Sequence, residues 1–186
     1  MRILKCLLII ITINLLLFFG GSYAQCVQSL YLSASFDSQI NRIQNDFSQI
    51  LPPKNTIAYT KVPRGLILSI SEEEFFAPLE YSIKPSGKNI LNNIISVLQE
   101  YDNDCVIESH TDESLPQNSL YSQDWELSIA RANAVADYIV KTGKIKSGRI
   151  FPVGFGEMMP FKENVSKKGF SDRRIDFVIF DYDVTR

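Results

Sequence analysis

Between residues 36 and 51 the apolar side chains Phe36, Ile40, Ile43, Phe47 and Ile50 recur at spacings of four, three, four and three, with Asp, Asn, Gln and Arg between them. That period predicts a helix over 36–51 with one narrow apolar seam. Two heptads are too short to specify a coiled coil, so the seam either docks on its own domain or pairs two chains. Pro52 and Pro53 end the helix, because proline has no amide hydrogen and drives the residue before it out of helical geometry. A linker through Pro63 is expected next. Gly65–Ile70 reads as a strand, and Glu72–Phe76 as a charged turn leading into aromatic anchors. Residues 84–101 carry Ile90, Leu91, Ile94, Ile95 and Leu98 with helical period, and Pro85 falls in the first turn, where a missing amide costs little. Cys105–Thr111 predicts a strand. Asp124–Lys141 predicts a second helix, with Asp124 as its N-cap, Ala132, Val135, Ala136 and Ile139 as its core stripe, and Gly143 as its stop. Arg149–Phe155 and Arg174–Phe180 complete the chain as strands. The order is strand, helix, strand, helix, strand, strand, which implies a sheet with helices packed on one face.

The first residues change the picture of where this domain works. Arg2 and Lys5 precede an almost unbroken apolar run from Cys6 to Phe19, followed by Gly20-Gly21-Ser22-Tyr23-Ala24. That is the layout of a secretory signal peptide over 1–24, with Ser22 and Ala24 as the small residues before a cut at Gln25. Two alternatives stand beside it. A retained anchor needs about 20 apolar residues, so this run would have to borrow the glycine-rich segment. A lipoprotein would acylate Cys26, although Gln25 is large where such sites prefer a small neighbour. The expected division is then a signal peptide (1–24), a leader with an amphipathic helix and linker (25–63), and one domain (64–186).

Loss of Arg2 and Lys5 leaves 17 basic against 21 acidic residues, a net charge of -4. No basic surplus marks a nucleic-acid surface. Cys6 leaves with the leader, so Cys26 and Cys105 are the two mature cysteines, in a compartment that permits disulfides. Either they form a bridge that pins the mature N-terminus to the central strand, or Cys105 is a buried thiol and Cys26 is unpaired or lipidated.

Candidate chemistry concentrates between Val106 and Val140. This stretch holds the only histidine, in Glu108-Ser109-His110-Thr111-Asp112, and then Trp125-Glu126-Leu127-Ser128-Ile129-Ala130-Arg131-Ala132. The strand delivers Asp112 to its C-terminal end and the helix carries Arg131 on its first turns. A carboxylate then faces a guanidinium across a polar loop, Glu113–Gln123. The two either bridge each other or hold a zwitterion. A catalytic triad of His110, Asp112 and Ser114, and a metal site of Glu108, His110 and Asp112, are both disfavoured. Adjacent strand residues point to opposite faces, and no second histidine completes a zinc site. His110 reads as a partly buried hydrogen-bonding residue, and Trp125 as packing beneath the loop.

These residues resemble the OmpA/MotB-type peptidoglycan-binding domain over about Gly65–Asp183. The resemblance rests on Phe75 to Pro85 before the first helix, His110-Thr111-Asp112 ending a strand, Leu127-Ser128 followed by Arg131-Ala132, Gly154-Phe155-Gly156-Glu157 with Pro160, and Arg173-Arg174 entering the last strand. The Trp125–Ser128 wording and the long loop before it are more similar to the motor-protein branch than to the porin branch. The resemblance implies an α+β fold of β-α-β-α-β-β order, with a mixed sheet and helices on one face. It also implies a non-catalytic module in the periplasm, near the cell wall and outer membrane of a Gram-negative envelope, that grips the diaminopimelate residue of the peptidoglycan stem peptide.

In that reading Arg131 takes the ligand carboxylate with two parallel hydrogen bonds and Asp112 pairs with its ammonium, in exposed contacts, with Thr111, Asp124, Leu127 and Arg174 around them. No metal or cofactor is implied. Partners are peptidoglycan and subunits of an envelope complex, with membrane association through a lipidated Cys26 or a retained anchor. Asp124 and Asp172 stand where the family usually has Asn; a carboxylate at 124 facing the pocket would repel the ligand carboxylate. The competing class is a scaffold of this shape, within a secretion or motility machine, that has lost ligand binding. A motor stator is disfavoured because the N-terminal apolar run offers only Thr12 and Asn14 where a proton path needs a carboxylate.

Overall fold

Strand order follows from how the amphipathic segments bury their apolar faces together. In the computed structural model, which describes residues 39–111, 121, 123–159 and 172–181, residues 39–50 are helical (α1). They are followed by β1 (Ile57–Val62), β2 (Gly65–Ser71), a short 3-10 turn (Glu72–Glu74), α2 (Pro85–Glu100), β3 (Cys105–His110), α3 (Asp124–Gly143), a second 3-10 turn (Ser147–Arg149), β4 (Ile150–Gly156) and β5 (Arg174–Phe180). The sheet order is β1-β2-β5-β3-β4. Only β3 and β4 pair in parallel; the β1/β2, β2/β5 and β3/β5 pairs are antiparallel. The sheet is therefore mixed and the fold α+β, as the family resemblance implies.

Strand alternation sorts the sheet into two faces. Leu66, Leu68 and Ile70 of β2, Cys105 and Ile107 of β3, and Ile175, Phe177 and Ile179 of β5 are buried in one core with Leu91, Ile94, Ile95 and Leu98 of α2 and Ala132, Val135, Ala136 and Ile139 of α3. Both helices thus pack on the same face. The α1 seam docks on its own domain: Ile40, Ile43 and Phe47, with Leu51, belong to that core, whereas Ile50 is 42% exposed. Ile40–Arg186 makes up one compact unit.

Three expectations need correction. The stretch read as a linker contains β1, which closes a hairpin onto β2 with Val62 paired to Gly65 around Pro63 and Arg64. Its side chains are mostly half-exposed, so no alternation stood out: only Ile57 is buried, at the edge of the sheet. The α3 N-cap is Gln123 rather than Asp124, and the Gln123 amide donates to Glu126 Oε2 at 3.3 Å. At the other end the left-handed cap falls on Lys144, with φ of 51°. Gly143 is the last helical residue and is small for a packing reason, since a Cβ there would sit 2.8 Å from Ile95 Cγ2 of α2.

Cys105 is a free thiol, fully buried on the core face of β3. Cys26 and the whole 1–24 leader lie outside the described residues. Among the described residues no helix is long and apolar enough to cross a membrane.

Candidate functional site

Because β5 runs antiparallel to both β2 and β3, and β4 runs parallel to β3, the C-terminal ends of β2, β3 and β4 lie at one edge of the sheet with the start of β5. The loops at this edge carry most of the residues singled out in the sequence. Glu72 follows β2, Thr111 follows β3, and Gly156-Glu157 ends β4, where the first turn of α3 meets it.

The junction between α3 and β4 explains two of the sequence motifs. Ser128 Oγ accepts the Gly156 amide at 3.0 Å and donates to the Trp125 carbonyl at 2.8 Å. Gly154 allows the close approach that this contact needs, since a Cβ there would lie 2.4 Å from the Ile129 nitrogen and 2.6 Å from Ser128 Oγ. Leu127 is fully buried beside the same joint. The Leu-Ser and Gly-x-Gly motifs are thus two halves of one contact that fixes the angle of α3 and, with it, the position of Arg131.

Asp124 belongs to this joint. Its Oδ1 accepts the Trp125 amide at 2.8 Å and its Oδ2 accepts the Glu157 amide at 2.9 Å. Both carboxylate oxygens are held by backbone donors, which ties the charge to the α3 N-terminus, where a negative charge is favourable. Trp125 is 44% exposed rather than packed beneath the loop.

Arg131 is the centre of the edge, and it is fully buried, not the exposed contact expected. Its Nη1 lies 2.7 Å from Glu72 Oε2 and donates to Thr111 Oγ1 at 3.3 Å. Nε donates to the Glu80 carbonyl at 2.8 Å, and Nη2 to the Ala77 carbonyl at 3.4 Å. The guanidinium also stands 5.2 Å from the centroid of the Phe76 ring, a cation-π contact. The two carbonyls are the ends of one turn, Ala77-Pro78-Leu79-Glu80, closed by the Glu80 amide on the Ala77 carbonyl at 3.1 Å. Proline takes the second position of this turn and Leu79 the third, at φ of 61°, a conformation that costs a branched side chain. The burial has a simple cause: this turn folds across Arg131 and is pinned by it. Tyr81 (46% exposed) and Tyr121 form an edge-on pair at 6.3 Å beside it.

Arg174 points away from this cluster. It donates to Asp176 Oδ2 at 2.9 Å, to the Asp172 carbonyl at 3.0 Å and to the Met159 carbonyl at 3.2 Å. It anchors the start of β5 to the chain after β4 and is not brought together with Arg131. Asp172 contributes its carbonyl to that anchor and lies on the surface.

On the same sheet face His110, only 3% exposed, stacks on Phe155 with ring centroids 5.2 Å apart, and its Nε2 lies 3.4 Å from Asp176 Oδ2. Glu108, His110 and Asp176 together offer three potential metal-ligand atoms within 4.8 Å of one another. Arg64 at 3.2 Å from Glu108 and Arg174 at 2.9 Å from Asp176 already supply the positive charge those carboxylates need. Burial raises the Glu108 carboxyl above its usual value, and Arg64 only partly opposes it.

Asp112, Ser114 and most of the loop before α3 lie outside the described residues. Glu72 was legible only as part of an acidic turn; its spacing to Arg131 holds no sequence signal, because the two meet through the fold.

With this geometry in hand, known proteins give a consistent answer. The family model described as the OmpA family matches residues 75–174, about half of the chain. Over 117 residues the chain is 32% identical to the uncharacterized protein YtxE of Bacillus subtilis, covering 62% of this chain and 48% of that protein. Over 120 residues it is 27% identical to motility protein B of the same organism, covering 62% and 45%. The chain thus spans about half the length of these curated relatives. Among solved structures, a putative MotB-like protein from Desulfovibrio vulgaris matches with a TM-score of 0.69 at 22% identity, over 81% of this chain and 96% of that one. The cell wall anchor of the T6SS from Pseudomonas aeruginosa matches with a TM-score of 0.60 at 25% identity, over 76% and 96%. The fold, the motifs that build its α3/β4 joint and the family match agree, and the chain belongs to the OmpA family.

Proposed function

We propose that this domain binds peptidoglycan without catalysis, through the diaminopimelate residue of the stem peptide, and so anchors its protein or an envelope complex to the cell wall. The observation that carries the reading is the contact of Arg131 Nη1 with Thr111 Oγ1 at 3.3 Å. It sets a guanidinium beside the residue that immediately precedes Asp112 in the chain, which supports reading Arg131 as the carboxylate site and Asp112 as the ammonium site. Diaminopimelate presents both groups at one end, and arginine is the side chain best matched to a carboxylate. Membership of the OmpA family and the likeness to a cell wall anchor from Pseudomonas aeruginosa support the same assignment. The reading places the mature protein in the periplasm after removal of residues 1–24, with lipidated Cys26 or a retained anchor as the alternative attachments. Contacts of this kind give micromolar to millimolar affinity, multiplied by many copies on one polymer.

Co-sedimentation of the mature chain with diaminopimelate-type sacculi tests it. The wild-type protein is expected in the pellet at low salt and Asp112→Ala in the supernatant, with unchanged circular dichroism. A second reading is favoured by one observation, the complete burial of Arg131 among internal partners. In that reading the domain is a scaffold in an envelope-spanning secretion or motility machine, and wild-type protein remains in the supernatant. Sugar or peptide products released from sacculi would instead indicate a hydrolase.

A further inference from the structure

Arg131 cannot take a ligand carboxylate as it stands. Its Nε faces the Glu80 carbonyl, its Nη1 faces Glu72 and Thr111, its Nη2 faces the Ala77 carbonyl, and Phe76 lies 5.2 Å from its guanidinium carbon. A bidentate grip needs two parallel N–H groups, so a ligand must displace acceptors already in place. The candidates for displacement differ in what their loss would leave behind. The carbonyls of Ala77 and Glu80 are built into a closed turn, and Thr111 is fixed at the buried end of β3, where its amide donates to the Gly156 carbonyl at 3.2 Å. Glu72 is different. Among the described partners it alone carries a carboxylate, and exchanging one carboxylate for another keeps the buried guanidinium neutralised, whereas removing any charge partner without replacement would be costly.

The backbone of Glu72 is rigidly held while its side chain reaches across. Its amide donates to the Arg173 carbonyl at 3.1 Å, and its own carbonyl accepts the amides of Phe75 and Phe76 at 2.9 and 3.0 Å. None of these hydrogen bonds passes through the carboxylate, so the sheet edge is held independently of its contact with Arg131. We infer that Glu72 is an internal competitor for the ligand: its carboxylate occupies the place on Arg131 that the diaminopimelate carboxylate takes, and binding proceeds by exchange of the two. The inference rests on the peptidoglycan-binding reading of the same site and adds the residue that sets its affinity. When the competent form is only a fraction of the population, apparent affinity falls by that fraction.

The test is calorimetric titration of a soluble diaminopimelate-containing stem peptide into the mature wild-type chain, Glu72→Gln, Glu72→Asp and the exposed control Glu73→Gln. Glu72→Gln removes the competing charge and is expected to bind about tenfold more tightly, with Glu73→Gln unchanged and the ligand-free melting temperature of Glu72→Gln lowered. Equal affinity of wild type and Glu72→Gln, with that lowered melting temperature, overturns the inference and leaves the binding reading standing. No binding by either folded protein overturns both. Should Glu72→Gln fail to fold, the wild type gives the answer by carboxyl carbon NMR. The Glu72 resonance is expected to move as the peptide saturates the site, and a stationary resonance at saturation overturns the exchange.

Discussion

Arg131 Nε donates to the carbonyl of Glu80 at 2.8 Å, joining the middle of α3 to a turn 51 positions earlier in the chain. Through this bond and its contact with Ala77, one side chain from α3 holds both ends of the turn that precedes α2. Arg131 is therefore an architectural residue as well as the candidate ligand contact. Truncation to Ala takes the guanidinium away from the buried Glu72 carboxylate, and breaking a buried ion pair from one side costs about 3–5 kcal/mol. Arg131→Lys keeps the charge but loses the planar fork, and is expected to recover only part of that loss. Urea unfolding of the three proteins checks both statements.

The α3/β4 joint tolerates no side chain at Gly154. A Cβ there would lie 2.4 Å from a backbone nitrogen of α3, which has no flexible end to yield. Gly154→Ala is expected to destabilise the domain by about 1–3 kcal/mol, the usual range for forced overpacking. Gly148→Ala serves as the control, because nothing lies within 4 Å of its added Cβ. Thermal unfolding that moved equally for both variants would contradict the joint.

Burial pushes the Cys105 thiol up to about 12, so almost no thiolate exists at neutral pH. The native protein is expected to resist alkylation at Cys105 by iodoacetamide at about pH 8 and to react fully in urea. Peptide mass mapping separates this residue from Cys26. Rapid native modification would show that β3 opens or that the thiol is accessible.

Burial by itself would raise the Asp176 carboxyl, but hydrogen bonding to His110, the charge of Arg174 and the hydroxyl of Ser69 outweigh it and hold the group below its usual value. A carboxyl held low in the folded state contributes stability that is fully present above its unfolded value of about 3.9 and is lost as pH falls through the lower folded value. Asp176→Asn also removes the carboxylate charge paired with Arg174, which keeps its bonds to the Asp172 and Met159 carbonyls, at a cost of about 3 kcal/mol near neutrality. The gap between wild type and variant is expected to narrow as pH falls below about 4. Glu108 acts in the opposite sense: burial raises it, so its contribution favours the protonated form and fades as pH rises through the folded value. Chemical denaturation of both proteins across the acid range measures the gap, and a constant difference would contradict the assignment.

The chain by itself determined the periodic elements. Helical spacing marked α1, α2 and α3, and alternation or apolar runs marked β2 to β5, because those segments bury one face and must write that face into their residues. The motif set was equally readable, since Leu127-Ser128 and Gly154–Gly156 are local words whose spacing is fixed by two elements. The tertiary structure decided what each charged group does. Edge strand β1 buries only one of its residues fully and so left no alternation to read. Asp124, a carboxylate that would disturb the site if it faced the pocket, is held by the amides of its chain neighbour Trp125 and of Glu157, 33 positions further on. Arg131 and Thr111 stood out in the sequence, but the Glu72 carboxylate beside them did not. A periodicity is a property of neighbours along the chain, whereas the partner of a buried charge is whichever residue the fold brings within reach.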